Sequence, residues 1–192
     1  DALSDIDLQV LVAVERGDDA FALVERCLDD AGGVEARLVV PEPAWHGHRQ
    51  RFYRVRGLPE TAMVDLCVMR ADKLAPFLDP VRHGLPVVWF DRVGALVPAD
   101  DPGLDAGFRQ RMELLRARVD LLGHLPGKAL ARGRLVEAVD GYQRLLFAPL
   151  VEALRAVHAP RRQDYGCRYL EHDLPVAVVE RLDLLVLPAD EA

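Results

Sequence analysis

The chain lacks several features that would assign it quickly. Its 192 residues include only three cysteines, Cys27, Cys67 and Cys167. They are odd in number and far apart, which excludes a paired disulfide framework and a C-x-x-C metal or redox motif. Reduced thiols and a cytoplasmic location are the simple expectation. No run of about eighteen apolar residues is free of charges, so no membrane-spanning helix is predicted and no membrane association is expected. The basic, then apolar, start of a secretory leader is also missing. Positive charge is in deficit, with 24 Lys plus Arg against 31 Asp plus Glu and a net charge of −7. That balance argues against a general nucleic-acid surface. No short repeat or low-complexity tract stands out.

Apolar residues are plentiful. They make up 51% of the chain, enough to core one domain or two small ones. Ile6–Val14 reads as a strand. Gly17-Asp-Asp19 leads into a helix over Ala20–Asp30, with Phe21, Val24 and Cys27/Leu28 on one stripe. Gly32-Gly33 stops that helix. Strands are predicted at Val34–Val40, Phe52–Arg56 and Ala62–Met69. The stretch Trp45–Arg51 between them reads as a polar, basic loop. Asp72–Leu78 reads as a short helix, and Leu85–Asp91 as a buried strand with a hairpin at Arg92-Val-Gly94. The turn-rich stretch 98–103 marks a composition change. Helical periodicity then covers Asp105–Leu122 and, after an interruption at Pro126-Gly127, Leu130–His158 with a break at Pro149. A last helix is expected from Asp173-Leu-Pro175, with Asp173 as its N-cap. The predicted organisation is an α/β (α+β) half over 1–98, built on a mixed sheet, and a helical bundle over 104–192. The leucine-rich face of 130–158 reads as bundle core with room for a homodimer contact.

The chemistry concentrates at the start. In Ser4-Asp5-Ile6-Asp7 the two aspartates share one face of the strand they open, because side chains alternate. Two carboxylates side by side repel unless a cation sits between them. One or two carboxylates with open coordination positions suit Mg²⁺ carrying phosphates. Asp65 is a third acid, set in the strand Val64-Asp-Leu-Cys-Val-Met69. A charge inside such a strand is unfavourable unless it is paired or bound to metal. If that strand lies beside the first, Asp65 completes a triad with Asp5 and Asp7. The competing reading pairs Asp65 with Arg54 or Arg56.

Ser4-Asp5-Ile6-Asp7 before an apolar strand, with Val64-Asp65-Leu66 later, resembles the nucleotidyltransferase superfamily of the DNA polymerase β type. The likeness is to its bacterial branch of aminoglycoside and minimal nucleotidyltransferases. The tail adds to it through His158-Ala-Pro160, Asp164-Tyr-Gly166, Arg168-Tyr-Leu170 and Asp173-Leu-Pro175. The resemblance implies a nucleotidyltransferase-like sheet, with Mg²⁺ held by Asp5, Asp7 and Asp65 and with ATP or another nucleotide as substrate. Ser4 would contact the nucleotide. The acceptor implied is a hydroxyl of a small, aminoglycoside-like molecule, or of a partner protein as in antitoxin-type relatives. A non-catalytic module is the reading from a different class. The family also places a Gly-Ser pair about ten residues before the aspartates, at a helix start suited to phosphates. Nothing precedes Asp1 here, so the expectation is an N-terminally truncated piece carrying the metal half of the site.

Weaker signals read as structural. His46-Gly-His48 has no third nitrogen or sulfur ligand nearby in sequence, so a zinc site is not expected. Arg161, Arg162 and Arg168 read as partners of Asp164, Glu171 or Asp173 ahead of a phosphate site. Glu113 and Glu137 are candidates for a general base, with exposure as the favoured alternative.

Overall fold

A computed structural model describes residues 4–42, 44, 47–73, 80–92, 94 and 104–186. It divides into two compact units, residues 1–77 with 88–97 and residues 78–87 with 98–192. The chain is of mixed α and β type. Parts of three expectations lie outside the described residues: the 74–78 part of the Asp72–Leu78 helix, the hairpin at Val93, and the stretch 98–103. Ala71–Lys73 forms a 3-10 turn.

Among its described residues the first unit carries a four-stranded mixed sheet. Its strands are β1 (Ile6–Val12), β2 (Val34–Val39), β3 (Arg49–Val55) and β4 (Val64–Arg70), in the order β1-β4-β3-β2. β4 is central. It runs parallel to β1 and antiparallel to β3. Its Val64, Leu66 and Val68 are buried on one face, as a central strand under a helix requires. Helix α1 (Gly17–Ala31) lies between β1 and β2 in sequence. It supplies Ala20 and Phe21 to the core with Tyr53, Val55, Val64, Leu66 and Val68, and Leu8, Val10 and Val12 pack around them. These residues define the sheet face that α1 covers.

α1 ends where expected. The Gly33 N–H bonds to the Leu28 carbonyl at 3.1 Å with φ +97°, a left-handed conformation that favours glycine. Gly32 is constrained by space instead. A Cβ there would sit 2.3 Å from the Arg56 carbonyl oxygen. Gly32→Ala is therefore expected to destabilise the chain by about 1–3 kcal/mol, read as a lowered urea midpoint. An unchanged midpoint would mean that the Arg56 backbone yields freely.

One strand boundary moves, and the shift matters for the site. Arg49-Gln-Arg51 belongs to β3 and not to a loop. Arg49 and Arg51 place their guanidiniums 5.1 and 4.0 Å from the Phe21 ring centroid, so their stems serve as the apolar positions of the strand. Both are ion-paired, Arg49 to Asp18 and Glu42, and Arg51 to Glu25. Glu25 also accepts hydrogen bonds from Arg37 and from the Tyr53 hydroxyl. Burial raises the Glu25 carboxyl, but its donors outweigh that and leave it below its ordinary value. The Tyr53 hydroxyl is pushed up to about 12, by burial first and then by Glu25.

The expected buried strand at Leu85–Asp91 is not found. Among the described residues no strand pairs with it, and Leu85, Val87, Trp89 and Phe90 are 82%, 86%, 76% and 73% exposed. Pro86 cannot donate to a ladder, and an apolar run becomes a strand only where an edge receives it.

The second unit is helical: α2 (Pro80–His83), α3 (Leu104–Leu122), α4 (Leu125–Ala131), α5 (Leu135–Tyr142), α6 (Ala148–His158), α7 (Leu170–Asp173) and α8 (Val176–Asp183). Among the described residues no helix is long and apolar enough to cross a membrane. Two expected breaks are resolved differently. Pro126 lies in the first turn of α4, where its missing N–H costs nothing, and the chain turns just before it at Gly123-His124. Pro149 does not break the helix. Residues Gln143–Phe147 widen into a π turn, and the Ala148 N–H reaches back to the Gln143 carbonyl. The wider turn relieves the clash a proline ring makes with the preceding turn. Phe147 and Val151 then pack against Leu174 and Leu182.

Arg155 is fully buried on α6. Its guanidinium donates to the carbonyls of Gly166, Arg162 and Arg168 and to the Asp173 carboxylate. Arg162 donates to the other Asp173 oxygen at 2.9 Å. Asp173 is therefore not the N-cap of α8. Pro175 occupies that position with no side-chain cap bond, because a buried cation needs its counter-charge more than a helix end needs a cap.

Candidate functional site

The three aspartates come from the first unit. Asp7 lies on β1 and Asp65 on β4, and the two are direct register partners in the parallel pair. Parallel neighbours in register point to the same face and sit about 4.8 Å apart. Alternation puts both on the face opposite Leu8, Leu66 and α1. Asp7 is exposed and Asp65 half-buried. The strand adjacency on which the triad depended is thus present.

Asp5 precedes β1 and is engaged elsewhere. Its Oδ1 accepts the Met63 N–H at 2.9 Å, and the Ile6 N–H bonds to the Met63 carbonyl. Asp5 therefore continues the β1–β4 ladder beyond its last paired residues. Ser4 is exposed beside it. Among the described residues no group of three or more His, Cys, Asp or Glu side chains is close enough to hold a metal ion. The pair Asp7 and Asp65 still offers two carboxylates on one face. That matches the one or two carboxylates, completed by waters and phosphates, with which Mg²⁺ is usually held.

Asp65 has a partner that sequence reasoning missed. The Gln50 amide donates to both its carboxylate oxygens, at 2.8 and 2.9 Å. Arg54 and Arg56, the partners expected otherwise, lie 3.9 and 3.6 Å from Glu35. The signal for Gln50 was its place in Arg-Gln-Arg. Once that triplet is a strand, Gln50 is the residue that alternation turns toward the acids.

Cys67 follows Asp65 on the same face. Its thiol is pushed up to about 11, by burial first and then by the Asp65 charge, which removes it as a nucleophile near neutral pH. Cys27 and Cys167 are exposed. Two of the three thiols are expected to react promptly with a disulfide reagent at pH 8, and the half-buried third, Cys67, more slowly. Equal rates for all three would contradict this difference in exposure.

The remaining candidates lie away from the acidic pair in sequence. His46 lies outside the described residues, and His48 is buried in the first unit. Glu137 is paired with Arg134 at 3.2 Å on an exposed helix turn. Arg162 pairs with Asp173, as expected of a structural turn, and Arg82 takes Asp164. Arg168 stacks 5.2 Å from the Tyr165 ring. No family model, curated protein or solved structure matches the chain.

Proposed function

We propose that the first unit is a nucleotidyltransferase-type domain that transfers a nucleoside monophosphate from ATP, or another nucleotide, to a hydroxyl of a small molecule. The observation that carries this reading is the register pairing of Asp7 with Asp65 on one face of the mixed sheet. The sequence pattern Ser4-Asp5-Ile6-Asp7 supports it.

Asp7 and Asp65 would hold Mg²⁺, and Asp5 would join them after releasing the Met63 N–H. When bound, the ion would offset phosphate charge as the acceptor oxygen approaches. The acceptor oxygen bonds to the α-phosphorus, the bond from that phosphorus to the bridging oxygen breaks, and pyrophosphate leaves with that electron pair. The hydroxyl proton passes to a base, for which Asp65 is the nearest candidate on this face. The net negative charge of the chain favours a cationic acceptor of aminoglycoside type.

One observation favours a second reading, a non-catalytic module of the same fold. Asp5 is already spent on the Met63 N–H, where it serves the ladder and not a ligand. Calorimetric titration with ATP, with and without Mg²⁺, separates the two. Metal-dependent nucleotide binding that requires Asp7 and Asp65 supports the enzyme, and its absence leaves the module.

A further inference from the structure

We propose that the β1 edge of the sheet is a homodimer contact, taken as an added strand by the segment 85–90 of a second copy of this chain. β1 ends the sheet, with β4 on one side and, among the described residues, no strand on the other. The Ile6 N–H bonds toward β4, to the Met63 carbonyl. Backbone direction alternates along a strand. Ile6, Leu8, Val10 and Val12 therefore spend their backbone groups on β4, and Asp7, Gln9 and Leu11 turn theirs outward. A row of outward N–H and C=O groups is a template for another strand. The opposite edge, β2, carries devices that discourage such pairing: a register shift between Val34 and Ala36, the charges of Glu35 and Arg37, and Pro41 and Pro43 just beyond. Over 8–12 β1 has none of these, its register with β4 is unbroken and its residues are uncharged.

The same chain holds a strand-forming segment without an edge. Leu85-Pro-Val-Val-Trp-Phe90 is of strand length, uncharged, and rich in β-branched and aromatic residues. It belongs to no strand, its large side chains stand in solvent, and among the described residues its backbone pairs with no other backbone group. An exposed apolar run of this kind marks an interaction surface. One chain thus leaves both an edge and a strand unmet, and two copies supply each other. Backbone groups of 87 and 89 face one side of the segment, and those of 86 and 88 face the other, where Pro86 has no N–H to give. The segment therefore joins β1 through 87 and 89. Its proline side is left outward, where it discourages a further strand. Alternation sets Val87 and Trp89 on one face and Val88 and Phe90 on the other, beside the partly covered Leu8, Val10 and Leu11 of the receiving β1. Each copy gives one segment and takes one, so a two-fold pair closes on itself.

Sedimentation velocity over a wide range of concentration reads the association, with hydrogen exchange at the Gln9 and Leu11 amides alongside. Wild type is expected to form a concentration-dependent dimer in which both amides are protected. Trp89→Lys removes the largest apolar side chain of the segment and adds charge, and is expected to weaken the dimer by at least about 10-fold. Gln9→Pro removes an outward N–H, which an edge strand tolerates. It is expected to weaken the dimer to a similar extent, with thermal melting of the monomer little changed. If Gln9→Pro melts early, Trp89→Lys decides, since Trp89 is exposed in the single chain. The proposal is overturned by a wild type that stays monomeric at every concentration, by a dimer that Trp89→Lys leaves unchanged, or by open-ended assembly. It is equally overturned by a monomer whose Gln9 and Leu11 amides are already protected, because the edge is then filled within one chain.

Discussion

Replacing Arg155 with alanine is expected to destabilise the helical unit strongly. The substitution removes the counter-charge that Asp173 receives from Arg155 and strips the donors from three carbonyls in the 162–168 turn. Breaking a buried pair from one side costs about 3–5 kcal/mol, set against a total stability of about 5–15 kcal/mol for an ordinary domain. Arg155→Lys is expected to rescue little, because one ammonium cannot reproduce a planar fork reaching several acceptors. The linkage to pH has a definite sign. Burial raises the Asp173 carboxyl, while the Arg155 hydrogen bond and the charges of Arg162 and Arg155 lower it, and the net is below its ordinary value. A carboxyl depressed by folding stabilises above its unfolded pKa of about 4 and loses that contribution as pH falls through the folded value. Wild type should therefore lose stability on the acid side, and Arg155→Ala should already be weak at neutral pH. Urea midpoints at pH 7 and pH 4 measure both effects. A variant within about 1 kcal/mol of wild type at pH 7 would show that Arg162 alone satisfies Asp173.

Asp7→Asn is expected to move two measurements in opposite directions. Asp7 and Asp65 face each other across neighbouring strands, and like charges placed so are destabilising by about 0.2–1 kcal/mol. The asparagine amide can instead donate to Asp65, so the metal-free variant should melt higher than wild type. Metal-dependent ATP binding should collapse. Losing one of the two carboxylates that would hold the ion should weaken binding by at least about 10-fold, a difference of about 1.4 kcal/mol. A site selected for stability alone would not keep two facing carboxylates. If Asp7→Asn melts lower and binds ATP as before, the pair is structural and the enzymatic reading is lost. Asp5→Asn is a useful companion, since the amide oxygen can still accept the Met63 N–H while the charge is gone.

The sheet was readable where pattern and physics agree. β1 and β4 are apolar runs of strand length with acids on one face, and their adjacency was the condition on which the acidic constellation depended. Leu85–Phe90 has the same kind of pattern and makes no strand, because apolar character does not supply a hydrogen-bonding partner. Arg49-Gln-Arg51 failed in the other direction. Three polar residues read as a loop, yet the aliphatic stems of two arginines lie against Phe21 and serve as a strand's apolar face. Hence Gln50 could not be found before the sheet was known. Asp173 had the sequence signature of a cap. What overrode it was Arg155, which sits in a leucine-rich run where an arginine reads as surface until the turn that folds over it is seen.

The parallel seam between β1 and β4 has a consequence for the order of events during synthesis. β2, β3 and β4 follow one another in the chain and pair antiparallel, each with its neighbour. The Asp5–Met63 contact closes a separation of 58 residues. Non-local pairing of this sort pays its loop-closure entropy before any contact repays it. β1 must wait for β4, the later-made of the two, and the two facing aspartates meet only after β2 and β3 have also been made. Anything that binds the paired β1 and β4 and not the separate strands would stabilise the chain only after this late step.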